Sequence, residues 1–277
     1  MSAIGRIRAP LFVPADKPGW IEKALASGAD AVILDLEDAV AAENKAAARR
    51  LLRVDPGPVP FVVRINGTRS AWHEADLAAI SGHRFAAVML PLAESPGELA
   101  ALADALPQMP LIALIESARG LAAARAIAAT TGVARLAFGS VDYCADLGCA
   151  HVPEALLAAR SEIIVASRLA GLPAPIDGVT TAFYDSEMLK SDAACARDLG
   201  MGGKLCIHPG QPPHVKACFA PTEGEIAWAR AVLSTGDGAA SLDGELVDQP
   251  IRTRAYRILE DVKADPDPEA SLENDLP

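Results

Sequence analysis

The chain has 277 residues, of which 51% are hydrophobic, and a chain of this length can bury one large core. Its formal net charge is −11, but five acidic residues follow the last basic residue, Lys263, which leaves about −6 for the remainder and disfavours nucleic acid as a partner. No apolar run approaches the ~20 residues of a membrane span, and MSAIGRIRAP lacks the apolar segment of a secretory signal, so we expect a cytoplasmic protein without a membrane partner.

Short apolar runs alternate with helical segments along most of the chain, as they do in parallel α/β folds. The predicted strands are residues 9 to 14, AVILDLED, FVVRING, AAVMLP, Leu111 to Ile115, LAFGSVDY, the weaker APIDGV, and GGKLCIHPGQ. The longer predicted helices are residues 41 to 53, 71 to 80, 153 to 170, 185 to 199, a capping-box segment from Thr222, and about 250 to 264. A turn-rich loop, GDGAASLDGELVD, is predicted between the last two helices.

A spacing of 26 residues relates these elements to Glu116, which ends the run LIALIE. Steps of this length reach positions near the ends of other apolar runs, namely Asp142, Leu90, Arg64, Asp38 and Phe12. A strand, a helix and two loops take roughly 25 to 35 residues, so the spacing indicates successive βα units whose equivalent positions line one rim. We therefore expect Arg64, Glu116 and Asp142 to face one another.

Eight such units predict an α/β fold class, a (β/α)8 TIM barrel with a C-terminal helical extension. We expect the barrel to occupy residues 1–218, and the extension with an active-site loop to occupy residues 219–264. The acidic tail, residues 265–277, has no core-forming residues and should be disordered.

Glu116 and Asp142 are predicted at adjacent strand tips, where two negative charges are costly unless a cation lies between them. Two carboxylates with positions left for water and substrate suit Mg²⁺, for which Mn²⁺ could substitute, whereas Ca²⁺ needs more oxygens and Zn²⁺ prefers His or Cys. The alternative is that each carboxylate caps a helix or forms half of an ion pair.

Arg64 ends the strand FVVR, a poor position for an ordinary surface charge. It either pairs with Glu37 or Asp38 of the second strand or binds a substrate oxygen, and a neighbouring carboxylate could fix the guanidinium while it does so. We count Glu37 and Arg64 among the catalytic candidates.

Other chemistries have weaker support in the sequence. Lys204, in the eighth strand, could form a Schiff base if it were desolvated inside the barrel, or it could be a structural lysine. Cys144, Cys149 and His151 do not have zinc-site spacing, and His208 is interpreted as a turn residue. No nucleophile elbow, GxGxxG or Walker sequence is present, and the odd number of cysteines favours free thiols.

The chain resembles the HpcH/HpaI aldolase and citrate lyase beta subunit family, and within it the free-standing, citrate lyase beta-like members that cleave acyl-CoA thioesters. The segments that carry the resemblance are RAPLFVPADKPGWIEKALASGADAVILDLEDAV, VRING, LIESARGL, LAFGSVDYCADLG, GKLCIHPGQ and DGELVDQP. They run in order from Arg8 to about Pro250, so nearly the whole chain is covered.

The resemblance implies Mg²⁺ at Glu116 and Asp142 and a contact between Arg64 and the keto-acid oxygen. It also implies that the region of Phe12, Lys17 and Lys23 meets coenzyme A. Where many relatives have Arg in FVPADRP and Lys in LPKAES, this chain has Lys17 and Leu92, and the second difference removes a cation near the rim.

The resemblance further implies that Asp248 covers the active site of a neighbouring subunit in a homotrimer or hexamer. There Asp248 would protonate a thioester enolate, or deprotonate acetyl-CoA in the reverse direction.

The hypothesis is an enzyme that reversibly cleaves a 3-hydroxyacyl-CoA, such as malyl-, methylmalyl- or citramalyl-CoA, into an α-keto acid and acetyl- or propionyl-CoA. We expect no permanently bound organic cofactor. The alternatives are the beta subunit of a citrate lyase complex acting on a citryl acyl carrier protein, a class II aldolase for free keto acids, and a non-catalytic acyl-CoA-binding protein.

Overall fold

A computed structural model describes residues 3–52, 57–236, 238–242 and 244–264. Eight parallel strands pair in chain order, each followed by helix, and strand-to-strand hydrogen bonds join the last to the first. Phe12 N–H donates to Cys206 O and Cys206 N–H donates to Pro10 O, both at 2.9 Å. The predicted (β/α)8 barrel is confirmed.

The strands of the barrel are β1 Pro10–Pro14, β2 Ala31–Asp35, β3 Phe61–Arg64, β4 Ala87–Leu90, β5 Leu111–Ile115, β6 Val133–Phe138, β7 Ile176–Asp177 and β8 Gly203–Lys204. Its helices are α1 Pro18–Leu25, α2 Lys45–Leu51, α3 His73–Ile80, α4 Pro96–Ala105, α5 Ala118–Ala128, α6 Ser140–Leu147, α7 Pro153–Leu169, α8 Ser186–Leu199 and α9 Pro212–Phe219. Two differences from prediction are the short helices α6 and α9. The predicted helix at 41–53 begins as a 3-10 turn, Ala42–Asn44, and continues as α2.

Two apolar layers explain why the strands are continuous apolar runs. Along β2, Ile33 packs in the barrel interior, whereas its neighbours Val32 and Leu34 pack against the surrounding helices. Both faces of each strand are therefore buried, as parallel barrels require. At the amino-terminal end of the strands Arg135 is fully buried, and it donates to the carbonyls of Ile4 and Ile7 at 2.8 and 2.6 Å.

Backbone pairing is uneven around the barrel. Strands β5 and β6 pair from Leu111 and Val133 to Ile115 and Phe138, the full length of β5. In contrast, β6 and β7 pair through Ala137 and Ile176 within the described residues. Beside that short pairing, side chains add buried ion pairs, which are described with the site below.

The described chain divides into two compact units between Phe219 and Ala220. The second contains α10 Glu223–Ser234, an antiparallel hairpin of β9 Ala240–Leu242 and β10 Glu245–Val247, and α11 Gln249–Ala264. The predicted capping box at Thr222 is present, with the Thr222 hydroxyl accepting from Glu225 N–H. The hairpin corrects the predicted turn-rich loop, and Val247 is buried within this unit.

The predicted acidic tail, 265–277, lies outside the described residues. Within the described ranges, the helices are too short or too polar to cross a lipid bilayer.

Candidate active site

Arg64 lies at the end of β3 and is held by two carboxylates of the neighbouring strand and loop. Its Nε and Nη2 donate to the two oxygens of Asp35 at 2.7 and 2.6 Å, which is the bidentate geometry that Arg forms with carboxylates. Its Nη1 lies 3.0 Å from Glu37 Oε2, an ion pair whose angle does not meet hydrogen-bond geometry. The guanidinium also lies 4.7 Å from the centre of the Phe12 ring.

Burial alone would lower the pKa of Arg64, but the charge and hydrogen bonds of Asp35 outweigh it and the pKa is raised. Arg64 therefore stays protonated. For Glu37, burial is the larger effect and raises the pKa to about 7, although Arg64 opposes it. Glu37 is thus a rim carboxyl group that can exchange a proton near neutral pH.

A buried lysine fixes the loop that carries Glu37. Lys45 Nζ donates to the carbonyls of Leu36 and Glu37 at 2.7 and 2.8 Å and to Asn66 Oδ1 at 2.9 Å. Asn66 in turn donates to Leu36 O at 2.9 Å, so the loops after β2 and β3 are tied together. Arg64 and Glu37 therefore face the rim from a rigid support.

Glu116 follows directly after β5 and is 5% exposed. Its Oε1 accepts a hydrogen bond of 2.7 Å from Leu92 N–H, at the end of β4. Gly139, after β6, lies against its other side, and a Cβ atom at Gly139 would overlap Glu116 Oε2. The pKa of Glu116 is raised to about 8, chiefly by burial and also by the charge of Asp142, although Leu92 N–H and Arg64 oppose the shift.

Asp142 lies in the first turn of α6, four residues past the end of β6, and is exposed. The prediction that it occupies a strand tip was therefore wrong, because α6 begins at Ser140, immediately after Gly139. Its charge nonetheless acts on Glu116, and its own pKa is raised by partial desolvation of the carboxylate, although solvent still reaches the residue, and by the charge of Asp38. The charges of Asp142 and Arg64 both act on Glu116, and that the three side chains face one another stays a prediction.

Glu116 and Asp142 fit a hydrated divalent cation. Within the described ranges, no group of three or more His, Cys, Asp or Glu side chains could hold a metal by itself. Two carboxylates that leave positions for water and substrate are typical of Mg²⁺ sites. The unfavourable burial of Glu116 beside Asp142 is what a cation would relieve, because positive charge between them favours both ionised forms.

The residues predicted to meet coenzyme A are distributed along β1 and α1. Phe12 packs against the barrel interior and under Arg64. Lys17 precedes α1 at the same rim and lies 3.7 Å from Asp16. Lys23 is in the last turn of α1, about 9 Å further along the helix axis, so Lys17 is nearer the rim.

Asp248 lies in the second unit, between β10 and α11. Its Oδ1 accepts from Ile251 N–H at 3.3 Å and its carbonyl accepts from Arg252 N–H at 3.0 Å, which places it at the amino terminus of α11. The carboxylate is half-buried.

Lys204 is a structural lysine in this fold. Its neighbour Leu205 points into the barrel interior, whereas Lys204 points to the helix layer, where its Nζ lies 3.0 Å from Asp177 Oδ2 and 2.8 Å from Gly178 O. Arg160 binds Asp177 through two hydrogen bonds of 2.9 and 3.0 Å. Burial raises the pKa of Asp177, but Lys204 and Arg160 outweigh it and the pKa is lowered.

The histidines have local roles. His208 lies in the turn after β8, and its Nδ1 accepts from Gly210 N–H at 3.2 Å. His151 Nε2 lies 2.8 Å from the hydroxyl of Ser140, which is 1% exposed and therefore poorly placed as a nucleophile. All five cysteines are free thiols.

Sequence reasoning missed Asp35, Gly139 and the backbone N–H of Leu92. Asp35 had a usable signal, since it is a carboxylate that ends an otherwise apolar strand and pairs in register with Arg64. The other two act through backbone conformation and space, for which the side-chain pattern gives no signal.

A (β/α)8 barrel with carboxylates and an arginine gathered at the carboxyl ends of β2 to β6 belongs to the class of barrel enzymes whose active sites are built from the βα loops. The chain matches the HpcH/HpaI aldolase/citrate lyase family over residues 8–209. It belongs to that family, as the resemblance predicted.

Three relatives show how far the similarity extends. The (3S)-malyl-CoA thioesterase of Cereibacter sphaeroides is 36% identical over 255 residues, which cover 87% of this chain and 89% of the relative. A citrate lyase subunit beta-like protein of Deinococcus radiodurans is 38% identical over 276 residues, covering 91% and 96%. The crystal structure of protein CitE from Mycobacterium tuberculosis in complex with magnesium, acetoacetate and coenzyme A has a TM-score of 0.84 and 36% identity, covering 93% of this chain and 98% of that chain.

Proposed function

We propose that this protein is a Mg²⁺-dependent carbon–carbon lyase that cleaves a 3-hydroxyacyl-CoA into an α-keto acid and acetyl- or propionyl-CoA. The observation that carries the proposal is the rim itself, where the charges of Asp142 and Arg64 both act on the buried carboxylate of Glu116. The relatives support the class of substrate, because one is named for malyl-CoA and another was crystallised with magnesium and coenzyme A.

Glu116 and Asp142 would hold the metal ion. When bound, Mg²⁺ would supply positive charge for the oxygens of the keto-acid half of the substrate. Leu92 N–H and Gly139 keep the Glu116 carboxylate in place for this role, because one fixes Oε1 and the other leaves room for Oε2.

Arg64 binds the oxygen on which negative charge develops. A guanidinium has five N–H groups, of which two donate hydrogen bonds to Asp35 and a third faces Glu37. The remaining N–H groups suit a substrate oxygen. The guanidinium needs little reorganisation when the substrate binds, because Asp35 already fixes its orientation. Glu37, with a pKa of about 7, is our candidate to accept the proton of the substrate hydroxyl.

Asp248 supplies the second proton transfer. Cleavage of the carbon–carbon bond leaves a thioester enolate, which Asp248 of a neighbouring subunit would protonate at carbon. This assignment rests on the family resemblance, as do the homotrimer or hexamer that it requires and the coenzyme A contacts of Phe12, Lys17 and Lys23.

The experiment is a substrate panel with product analysis. Purified protein is mixed with Mg²⁺ and malyl-, methylmalyl- or citramalyl-CoA, or with a citryl acyl carrier protein, and products are separated by mass spectrometry. A lyase yields a keto acid and a shorter acyl-CoA, whereas a thioesterase yields a free hydroxy acid and CoA. EDTA should abolish the lyase activity and Mg²⁺ or Mn²⁺ should restore it. Activity that survives EDTA contradicts the proposal.

The same panel separates the alternatives. Turnover of the carrier-protein substrate alone would identify a citrate lyase subunit, and turnover of free keto acids alone would identify an aldolase. Binding of acyl-CoA without turnover would identify a non-catalytic binding protein.

A further inference from the structure

Leu92 has an unusual backbone conformation for its residue type. Its φ is +46°, and among the described residues every other positive φ belongs to glycine. The left-handed region brings Cβ close to the following carbonyl, which is unfavourable for a residue with a side chain and is avoided by glycine. Such strain persists where the surrounding structure holds the residue in place, and it is frequent at functional sites.

The surrounding loop holds Leu92 on both sides. Ala93 is fully buried, its N–H donates to Leu114 O at 3.1 Å, and its carbonyl lies against Gly120, where a Cβ atom would be 2.8 Å away. The result is that Leu92 N–H points at Glu116 Oε1 at 2.7 Å. This contact explains the backbone conformation but not the leucine, because glycine would place the same N–H with less strain.

The side chain is exposed at the active-site rim. Leu92 is 50% exposed although both of its chain neighbours, Pro91 and Ala93, are buried. It follows β4, which pairs with β3 at Arg64 and with β5, the strand that ends at Glu116. Leu92 therefore follows the strand that lies between the strands of Arg64 and Glu116, and its large apolar side chain gains little from burial in the protein.

We infer that Leu92 is a specificity-determining residue that contacts the keto-acid half of the substrate and selects a hydrogen or alkyl substituent there over a second carboxylate. This inference rests on the proposed function. An alkyl group would bury the exposed leucine, whereas a carboxylate would lose water against it in a rim that already contains Glu37, Glu116 and Asp142. The chosen substrates are therefore of the citramalyl or malyl type, and citryl-type substrates are disfavoured.

The test compares two substrates in Leu92→Lys and Leu92→Gly. The first adds a cation at the rim, and the second removes the side chain while keeping the N–H for Glu116. The measured quantity is the ratio of kcat/KM for citramalyl-CoA to that for citryl-CoA. One methyl group in an apolar pocket changes such ratios by about 10- to 200-fold, and we expect a fall of this size in both variants. Leu169→Lys, at the exposed end of α7, is the control and should leave the ratio unchanged.

Binding of keto acids in the presence of Mg²⁺ tests the specificity role of Leu92 independently of turnover. Calorimetric titrations with pyruvate and with freshly dissolved oxaloacetate should show tighter pyruvate binding in the wild type and loss of this preference in both variants. If the wild type cleaves thioesters and both ratios stay within threefold of wild type, the inference about Leu92 is wrong and the proposed function stands. If no thioester is cleaved, the proposed function fails and the keto-acid ratio alone judges Leu92. If no thioester is cleaved and neither keto acid binds, both are wrong.

Discussion

Replacing Gly139 with alanine should displace Glu116 without a backbone penalty. The φ of Gly139 is −88°, which any residue adopts, so the effect of the added methyl group comes from space alone. That methyl carbon would overlap Glu116 Oε2 and would lie 2.5 Å from Glu116 Cβ. Carbon contacts are normally about 3.5–4.0 Å, so the glutamate must retreat by about 1 Å.

A displacement of this size is large for a catalytic group. A misplacement of about 1 Å can cost about 10²-fold in rate, and overpacking of a buried site typically costs about 1–3 kcal/mol of stability. We therefore expect Gly139→Ala to lower kcat about 10²-fold, to weaken Mg²⁺ binding in calorimetry, and to unfold at lower urea concentration. Gly82→Ala is the matched control, because a Cβ atom there meets no atom within 4 Å.

A double-mutant cycle tests the cause. In a Glu116→Ala background the added methyl group has no carboxylate to displace, so Gly139→Ala should cost much less stability than it does in the wild type. If Gly139→Ala keeps kcat and Mg²⁺ affinity within threefold of wild type, then Glu116 is not confined as the structure indicates and the argument is refuted.

Further predictions concern Arg64, the buried ion pairs of Asp177, and Asp248. Arg64→Lys keeps the positive charge but loses the planar guanidinium, so kcat should fall about 10²-fold or more while circular dichroism shows that the fold is retained. The control Arg69→Lys, on the surface, should have little effect on kcat. Near-wild-type activity of Arg64→Lys would make Arg64 a purely structural partner of Asp35. Lys204→Met leaves Asp177 with one cationic partner and should lower the free energy of unfolding, measured in urea, by about 3–5 kcal/mol. Because Lys204 is structural and forms no Schiff base, borohydride with substrate should not inactivate the wild type. Because the folded pKa of Asp177 lies below its ordinary value of 3.8, its contribution to stability is complete above that value and is lost as the pH falls through the folded pKa, a loss that Asp177→Asn should lack. Glu116→Ala and Asp248→Asn chains, each nearly inactive alone, should recover a sizeable fraction of activity in mixed oligomers; mixed oligomers that form without recovery would place Asp248 outside the neighbouring site.

The barrel was predictable because the burial of its strands determines their local amino-acid composition. Strands such as β2 and β5 are buried on both faces, so they appear as unbroken apolar runs, and the 26-residue spacing of their ends reports a repeated unit. The hairpin in the second unit was missed although the sequence reads Asp-Gly between the residues of its two strands, which is a strong hairpin signal. Its strands have three residues each, too short for alternation to be recognised.

The site was predicted in its residue types more than in its geometry. Glu116 directly follows β5, at the position that counting indicated, whereas Asp142 was assigned to a strand tip and belongs to a helix. Counting residues between βα units cannot say where the strand stops and the helix begins. The pairing of Arg64 with Asp35 depends on strand register, and the φ of Leu92 depends on how its loop is packed, so neither follows from local sequence.

The uneven strand pairing divides the barrel mechanically. Glu116 and Asp142 follow β5 and β6, which are joined along the full length of β5, so these two carboxylates should move together as parts of one rigid block. The next strand pair, β6 and β7, has little backbone pairing, so the barrel should deform there first. A transient deformation of the barrel, as when a bulky thioester enters or leaves, would then change the position of β7, while the distance between the carboxylates of Glu116 and Asp142 is preserved. Amide hydrogen exchange should accordingly be faster in β7 than in β5.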